Sequence, residues 1–389
     1  MPSDIREKGT ILFGMKKKRN GEIEILRFLF CMYIFLRHGA PFLKMTGSDA
    51  DLFARGALGV DFFFIVSGYF MAASAAKKNS IDPQISAGLG SDTVSFINHK
   101  FSSLMPQLLV AWCIGLAVDI VKSQSFGVKA IAKKLTTWIW DLIPLSEAGF
   151  STETHMGVWY ISAMLLAMFI LYPFCRKHYE VFTKIAAPLL AIFIIGYLAM
   201  VSHTTLNPHN MLEGTLTLRG MARAVGVIAL GAACFEAART FREKTALTRA
   251  GQWCMTLLMI ALLVFILYDM TFVKSKVFDI MTFALIALLS FCAFVNQGVF
   301  AHIFDNKVCY FLGRMSLLLY LCHIPMVAVV RMIYKSGSGL FSGNADGDAI
   351  ICYCLLAVLT VVSMAVVSGI SSLINKITPA ISRALVRTE

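Results

Sequence analysis

Charge is scarce in this chain: 15% of its 389 residues are Asp, Glu, Lys or Arg, where ordinary globular proteins carry about 25%. That is too little charge to solvate the surfaces of two or three soluble domains. Acidic residues are scarcer still, 23 against 35 Lys plus Arg, for a formal charge of +12. Nucleic-acid binding would gather those cations in a compact basic domain with interleaved aromatics; here they are scattered through short links. Alternating strand patterns are missing, which argues against a membrane β-barrel. No hydrophilic domain, low-complexity linker or repeat is evident. The ten cysteines show no metal-ligand spacing, and Cys31, Cys113, Cys234, Cys292 and Cys322 lie inside apolar runs, where packed reduced thiols are expected and a metal is not.

Apolar residues make up 58% of the chain. They fall in runs of about 17–25 residues, the length a helix needs to cross roughly 30 Å of hydrocarbon. The expected fold is all-α, a polytopic membrane helical bundle of about ten spans, at roughly 23–43, 57–76, 101–121, 157–174, 183–202, 218–236, 252–272, 277–297, 308–333 and 350–375. Residues 1–22, with Lys16, Lys17, Lys18 and Arg19, are expected as a basic cytoplasmic segment, 23–375 as the membrane domain and 376–389 as a short cytoplasmic tail. The first apolar run is too long and too charged for a cleaved signal peptide. With both termini cytoplasmic, about twenty basic residues lie inside against about nine outside, as a multi-pass protein of the cell membrane requires. The 122–156 loop carries four lysines against that rule; within it TTWIWDLIP reads as a helix lying in the interface.

Ionisable groups within spans mark a functional interior, because facing lipid is costly. Arg27 and His38 are eleven positions apart, close to three helical turns, which puts both on one face roughly 16 Å apart along the axis. Glu24, one turn before Arg27, can pair with it. His38 is either a general base, suited by a pKa near operating pH, or a satisfied interhelical hydrogen-bonder. Arg27 either lines a path or snorkels. Arg37 is expected to point elsewhere and snorkel. Asp61 orients a base, holds a cation or pairs with a neighbouring helix. Ser67 beside Gly68 reads as a nucleophile less readily than as a close-packing site. Phe62, Phe63 and Phe64 read as bulk. Trp159 and Tyr160 line a pore or belong to an aromatic belt. His155, His203 and His209 show no metal spacing.

The order Glu24, Arg27, ten residues, His38, followed by GALGVDFFFIVSGYF, resembles the opening of the acyltransferase-3 family of integral membrane O-acyltransferases. Gly59, Val60, Phe63, Phe64, Ser67 and Gly68 stand at its second-helix positions. Trp159 to Ser162 resemble its Trp-aromatic-aliphatic signature, and RGMARAVGVIALG from Arg219 its later Arg-to-Gly helix. LGRMSLLLYLCHIP, with Gly313, Ser316, Tyr320, His323 and Pro325, resembles its last element. Any one motif is weak, but five in order run through nearly all the chain. Two departures stand out: Lys100 and Ser103 occupy positions where many members have arginines, and Met164 replaces a Glu that some carry. Lysine keeps a phosphate-binding charge but cannot make a bidentate clamp.

The resemblance implies transfer of an acyl group, usually acetyl from acetyl-CoA, to a hydroxyl of a cell-envelope saccharide or other extracytoplasmic acceptor. The acyl-CoA would be a co-substrate, with no bound cofactor. His38 and Arg27 would be catalytic, with Glu24, Asp61, Ser67 and His323 supporting. Lys100, Arg219 and Arg223 would attract the donor's phosphates, and Trp159 and Tyr160 would line the acceptor path. The rival reading is a secondary transporter or exporter of a lipid-linked glycan, with the same ionisable groups as a relay. Such folds commonly show matching broken helices in two halves, a correspondence missing here.

Overall fold

The computed structural model describes residues 19–150, 155–202, 219–337 and 339–386, and every regular element among them is helical. Helix α1 (Gly21–Gly39) starts where the Asn20 side chain accepts the N–H groups of Glu22 and Ile23, with Glu22 and Glu24 complementing the helix dipole. The chain re-enters at Pro41 as α2 (Pro41–Thr46) and ends it on Gly47 at φ 85°. After one 3₁₀ turn, Gly56–Leu58, come α3 (Gly59–Ile81), α4 (Leu89–Lys122), α5 (Val128–Leu142) and α6 (Trp159–Lys177). They are followed by α7 (Ala187–Val201), α8 (Arg219–Lys244), α9 (Arg249–Phe272), α10 (Asp279–Val295), α11 (Lys307–Lys335) and α12 (Ala345–Val386).

Among the described residues 9 helices are long and apolar enough to span a bilayer, and α10 adds a shorter apolar helix of 17 residues. Each of the ten expected spans falls on one of these ten. The protein is an all-α polytopic membrane bundle. Two boundaries differ from expectation. Helix α4 begins at Leu89 rather than near 101, because Asp92 is buried there against Lys78 and Arg176, a polar anchor that hydropathy does not register. Helix α12 runs on through Val386.

Successive spans reverse direction. One end of the bundle holds the start of α1 and the other holds His38, and these are called here the Gly21 end and the His38 end. Helices α1 and α11 run side by side and parallel: Gly313 packs on Glu24, and His323 meets His38. The inner helices are buried, with 67% of the apolar window enclosed for α3 and α6 against 17% for α9. The outer faces of α7, α9 and α12 present Phe193, Val264 and Val361 outward. Lipid tails are as apolar as these side chains, so the exposure carries no penalty in a bilayer.

Helices α3 and α8 touch backbone to backbone. A Cβ at Gly68 would lie 2.0 Å from the Ile228 carbonyl oxygen, and one at Gly231 would lie 2.1 Å from that of Ile65. The Ser67-Gly68 step therefore serves close packing. At the His38 end, Arg55 ties the 3₁₀ turn to α9 and α10 through Asp269, Asp279 at 2.9 Å and Thr282 at 3.0 Å.

Candidate functional site

His38 and His323 form a pair at the His38 end, where parallel α1 and α11 bring them together. Three hydrogen bonds settle their protons. His323 Nδ1 lies 3.0 Å from the Leu319 carbonyl, which can only accept, so His323 Nδ1 carries the hydrogen. Its Nε2 is then the acceptor facing His38 Nδ1 at 3.0 Å. His38 Nδ1 faces that acceptor and the Ile34 carbonyl at 2.9 Å, so it is a donor, and the lone pair of the neutral ring sits on His38 Nε2.

Both imidazoles lie on the wall of a cavity of about 1120 Å³, somewhat larger than most small-molecule sites, which reach roughly 1,000 Å³. Trp159, Tyr320 and Arg223 contribute to the same wall. Helix α5 covers one side, where the Trp138 ring lies tilted against His155 with ring centres 4.7 Å apart and the Trp138 carbonyl accepts the Trp112 indole N–H at 2.8 Å. This helix outside the spans includes the TTWIWDL stretch.

From the cavity a line of polar side chains leads toward the Gly21 end. The Tyr320 and His323 rings lie 6.0 Å apart, and those of Tyr160 and Tyr320 5.8 Å apart. The Tyr160 hydroxyl is 3.0 Å from Ser67 Oγ, and it donates to the Phe63 carbonyl at 3.2 Å. Met164 Sδ, where some family members have a Glu, is 3.2 Å from Ser67 Oγ. Beyond them lies Arg27, whose Nη1 donates to Glu24 at 3.2 Å while its side chain stays 30% exposed. Lys100 sits within electrostatic reach of Arg27, with Nζ 5.4 Å from the Phe96 ring centre.

The structure thus brings His38 and His323 together, and Ser67 and Tyr160 together, and it places Arg27 beside Glu24 with Lys100 nearby. It does not bring Arg223 to Lys100. Arg223 lines the cavity at the His38 end, in a fully buried bidentate pair with Asp61 at 2.7 and 2.6 Å. Asp61 is therefore a partner to a neighbouring helix. The Arg219 side chain, His203 and His209 lie outside the described residues. Arg37 departs from expectation: it lines the cavity beside His38. The cavity spreads around the last turn of α1, so residues a full 100° apart on the helix both reach it.

Three other cavity residues, Arg55, Arg331 and Lys335, were not anticipated from the sequence, and Tyr320 entered there only as a motif position with no role given to it. For α11 a signal existed, since His323, Val327, Arg331 and Lys335 recur at intervals of four and all line the cavity. No such signal existed for Arg55, which lies in a link between helices.

Outside the spans one carboxylate is conspicuous. Glu147 is buried against Gly220; its backbone N–H donates to Ser162 Oγ at 3.0 Å, and its Oε2 has no hydrogen-bond partner among the described residues. Burial pushes its pKa up to about 7.

These features define an integral membrane protein built around a paired-histidine cavity within its helical bundle. A family model for the acyltransferase domain of acyltransferase-3 proteins matches residues 20–369, and the chain belongs to that family. It is an acyltransferase. No curated protein and no solved structure matches the chain.

Proposed function

We propose that the protein is a membrane O-acyltransferase that moves an acyl group, acetyl by preference, from acyl-CoA to a hydroxyl of an extracytoplasmic saccharide or similar acceptor. The observation that carries this reading is the His38–His323 pair on the wall of the large cavity, with the unprotonated nitrogen of the neutral pair on His38 Nε2. A hydroxyl attacks a thioester poorly until a base removes its proton. In the proposed step His38 Nε2 takes the acceptor's proton as the hydroxyl oxygen bonds to the thioester carbonyl carbon. The C–S bond then breaks, and the CoA sulfur leaves with the proton returned by the imidazolium. His323 is the positioning residue: its Nε2 accepts from His38 Nδ1 and steadies the imidazolium charge.

The donor is placed at the Gly21 end, facing the cytoplasm. Arg27 and Lys100 attract its phosphates there, and the extended pantetheine arm follows the Ser67, Tyr160 and Tyr320 line toward His38. Helix geometry puts Arg27 and His38 roughly 16 Å apart, a distance suited to such an arm. Arg223 is left out of the donor site, because its guanidinium is committed to Asp61.

The test uses purified protein in nanodiscs, radiolabelled acetyl-CoA and an envelope glycan fraction. Label should pass to glycan with wild type, and His38→Ala should lower the rate about 10²- to 10⁴-fold while remaining folded. Full activity in folded His38→Ala would remove the base from this residue.

A further inference from the structure

The mouth of the cavity is charged well beyond what the histidine pair requires. Six of its lining residues are Arg or Lys, and two are Asp. Both aspartates are already engaged: Asp119 with Lys134 at 2.5 Å, and Asp279 with Arg55 at 2.9 Å. Arg223 is matched by Asp61. Four cations remain, Arg37, Lys122, Arg331 and Lys335, and none has a carboxylate partner among the described residues. They come from three helices, α1, α4 and α11. On α11 they stand in line with the site, because His323, Val327, Arg331 and Lys335 mark successive turns of one face.

Snorkelling alone would point lone helix-end cations out toward headgroups. Four that converge on one concavity instead set up a positive field inside it, and low-dielectric walls focus that field on whatever enters. We infer that the acceptor is anionic: it carries a phosphate or carboxylate, held by Arg37, Arg331 and Lys335 while its hydroxyl is presented to His38. The shared chemistry is an oxyanion bound by charge-assisted hydrogen bonds. Its source is either an acidic sugar or the phosphate of a lipid-linked glycan. The inference rests on the reading of this cavity as the acceptor's side of an acyltransferase.

The test is binding measured without donor, so that its outcome does not depend on acyl transfer. Protein in zwitterionic nanodiscs is titrated with a uronic-acid tetrasaccharide, its neutral hexose counterpart, and a short-chain prenyl phosphate. One of the two anionic probes should bind at least about tenfold more tightly than the neutral sugar, and whichever does identifies the source. The double variant Arg331→Gln/Lys335→Gln should lose that advantage, and rising salt should erode it. Equal binding of charged and neutral probes would overturn the inference, as would binding untouched by the double variant. CoA binding abolished by the same variant would also overturn it and assign the cavity to the donor. Acyl transfer to a neutral glycan with unchanged KM in that variant would sink the anionic acceptor and leave the acyltransferase reading standing.

Discussion

Removing the Asp61 carboxylate should damage the protein chiefly through stability, and the size of the effect can be worked from the site. Asp61 Oδ1 and Oδ2 accept from Arg223 Nε and Nη2 at 2.7 and 2.6 Å, with side-chain exposures of 0% and 3%. Asp61→Asn keeps the shape but strips the guanidinium of its counter-charge in a low-dielectric interior. Breaking one side of such a buried pair costs about 3–5 kcal/mol, roughly a 10²- to 10⁴-fold shift in the unfolding equilibrium. Arg223→Gln should cost a similar amount by abandoning the carboxylate. In the double variant neither charge remains, so its loss should fall well short of the sum. The assay is reversible unfolding in mixed micelles, read by tryptophan fluorescence for wild type, both single variants and the double. Strict additivity, or a cost below about 1 kcal/mol for Asp61→Asn, would refute the reasoning. The same variants bear on the donor. A tenfold rise in donor KM for Arg223→Gln at unchanged stability would place Arg223 in the donor site after all.

Two further outcomes follow from packing and burial. Glu147 is more readily protonated in the folded state than in the unfolded chain, where its carboxyl titrates at 4.5, because burial holds its pKa near 7. The folded state therefore binds the extra proton between those values, and stability falls as pH rises from about 4.5 through 7. Glu147→Gln should stabilise the fold at pH 8, by an upper bound of about 3 kcal/mol seen as a higher melting temperature, and change little at pH 4; an equal shift at both would discount the carboxyl. Gly231→Leu should drive a side chain into the Ile65 carbonyl and force α3 from α8, costing about 3 kcal/mol or more and lowering the yield of folded protein. Normal yield and melting temperature would show that these helices can separate freely.

Much of the architecture was legible because a bilayer imposes a simple rule. Every backbone polar group must be satisfied inside a helix, so long apolar runs read directly as spans. The ten expected spans each correspond to a helix. The boundary of α4 was not legible, since its first turns are amphipathic and are held by Asp92, a partner of Lys78 and of the distant Arg176. The pairing of Arg27 with Glu24 was visible in their spacing, because a helix makes near neighbours of residues three apart. The close-packing sense of Gly68 was also anticipated from its small size in an apolar helix.

Contacts between helices far apart in sequence were a different matter. His38 and His323 are separated by 285 positions, and no periodicity in either helix announces the other. The meeting of Arg223 with Asp61 depends on which two faces the Gly68–Gly231 contact presses together. The convergence of Arg37, Lys122, Arg331 and Lys335 depends on three helix ends closing around one hollow. The sequence by itself determined the membrane class, the spans and the ionisable residues inside them, because local hydropathy and helical spacing decide those. Only the tertiary structure decided which histidine nitrogen carries the lone pair, which arginine is neutralised and where the uncompensated charge gathers. Those properties belong to pairs and clusters of side chains, and packing alone chooses their members.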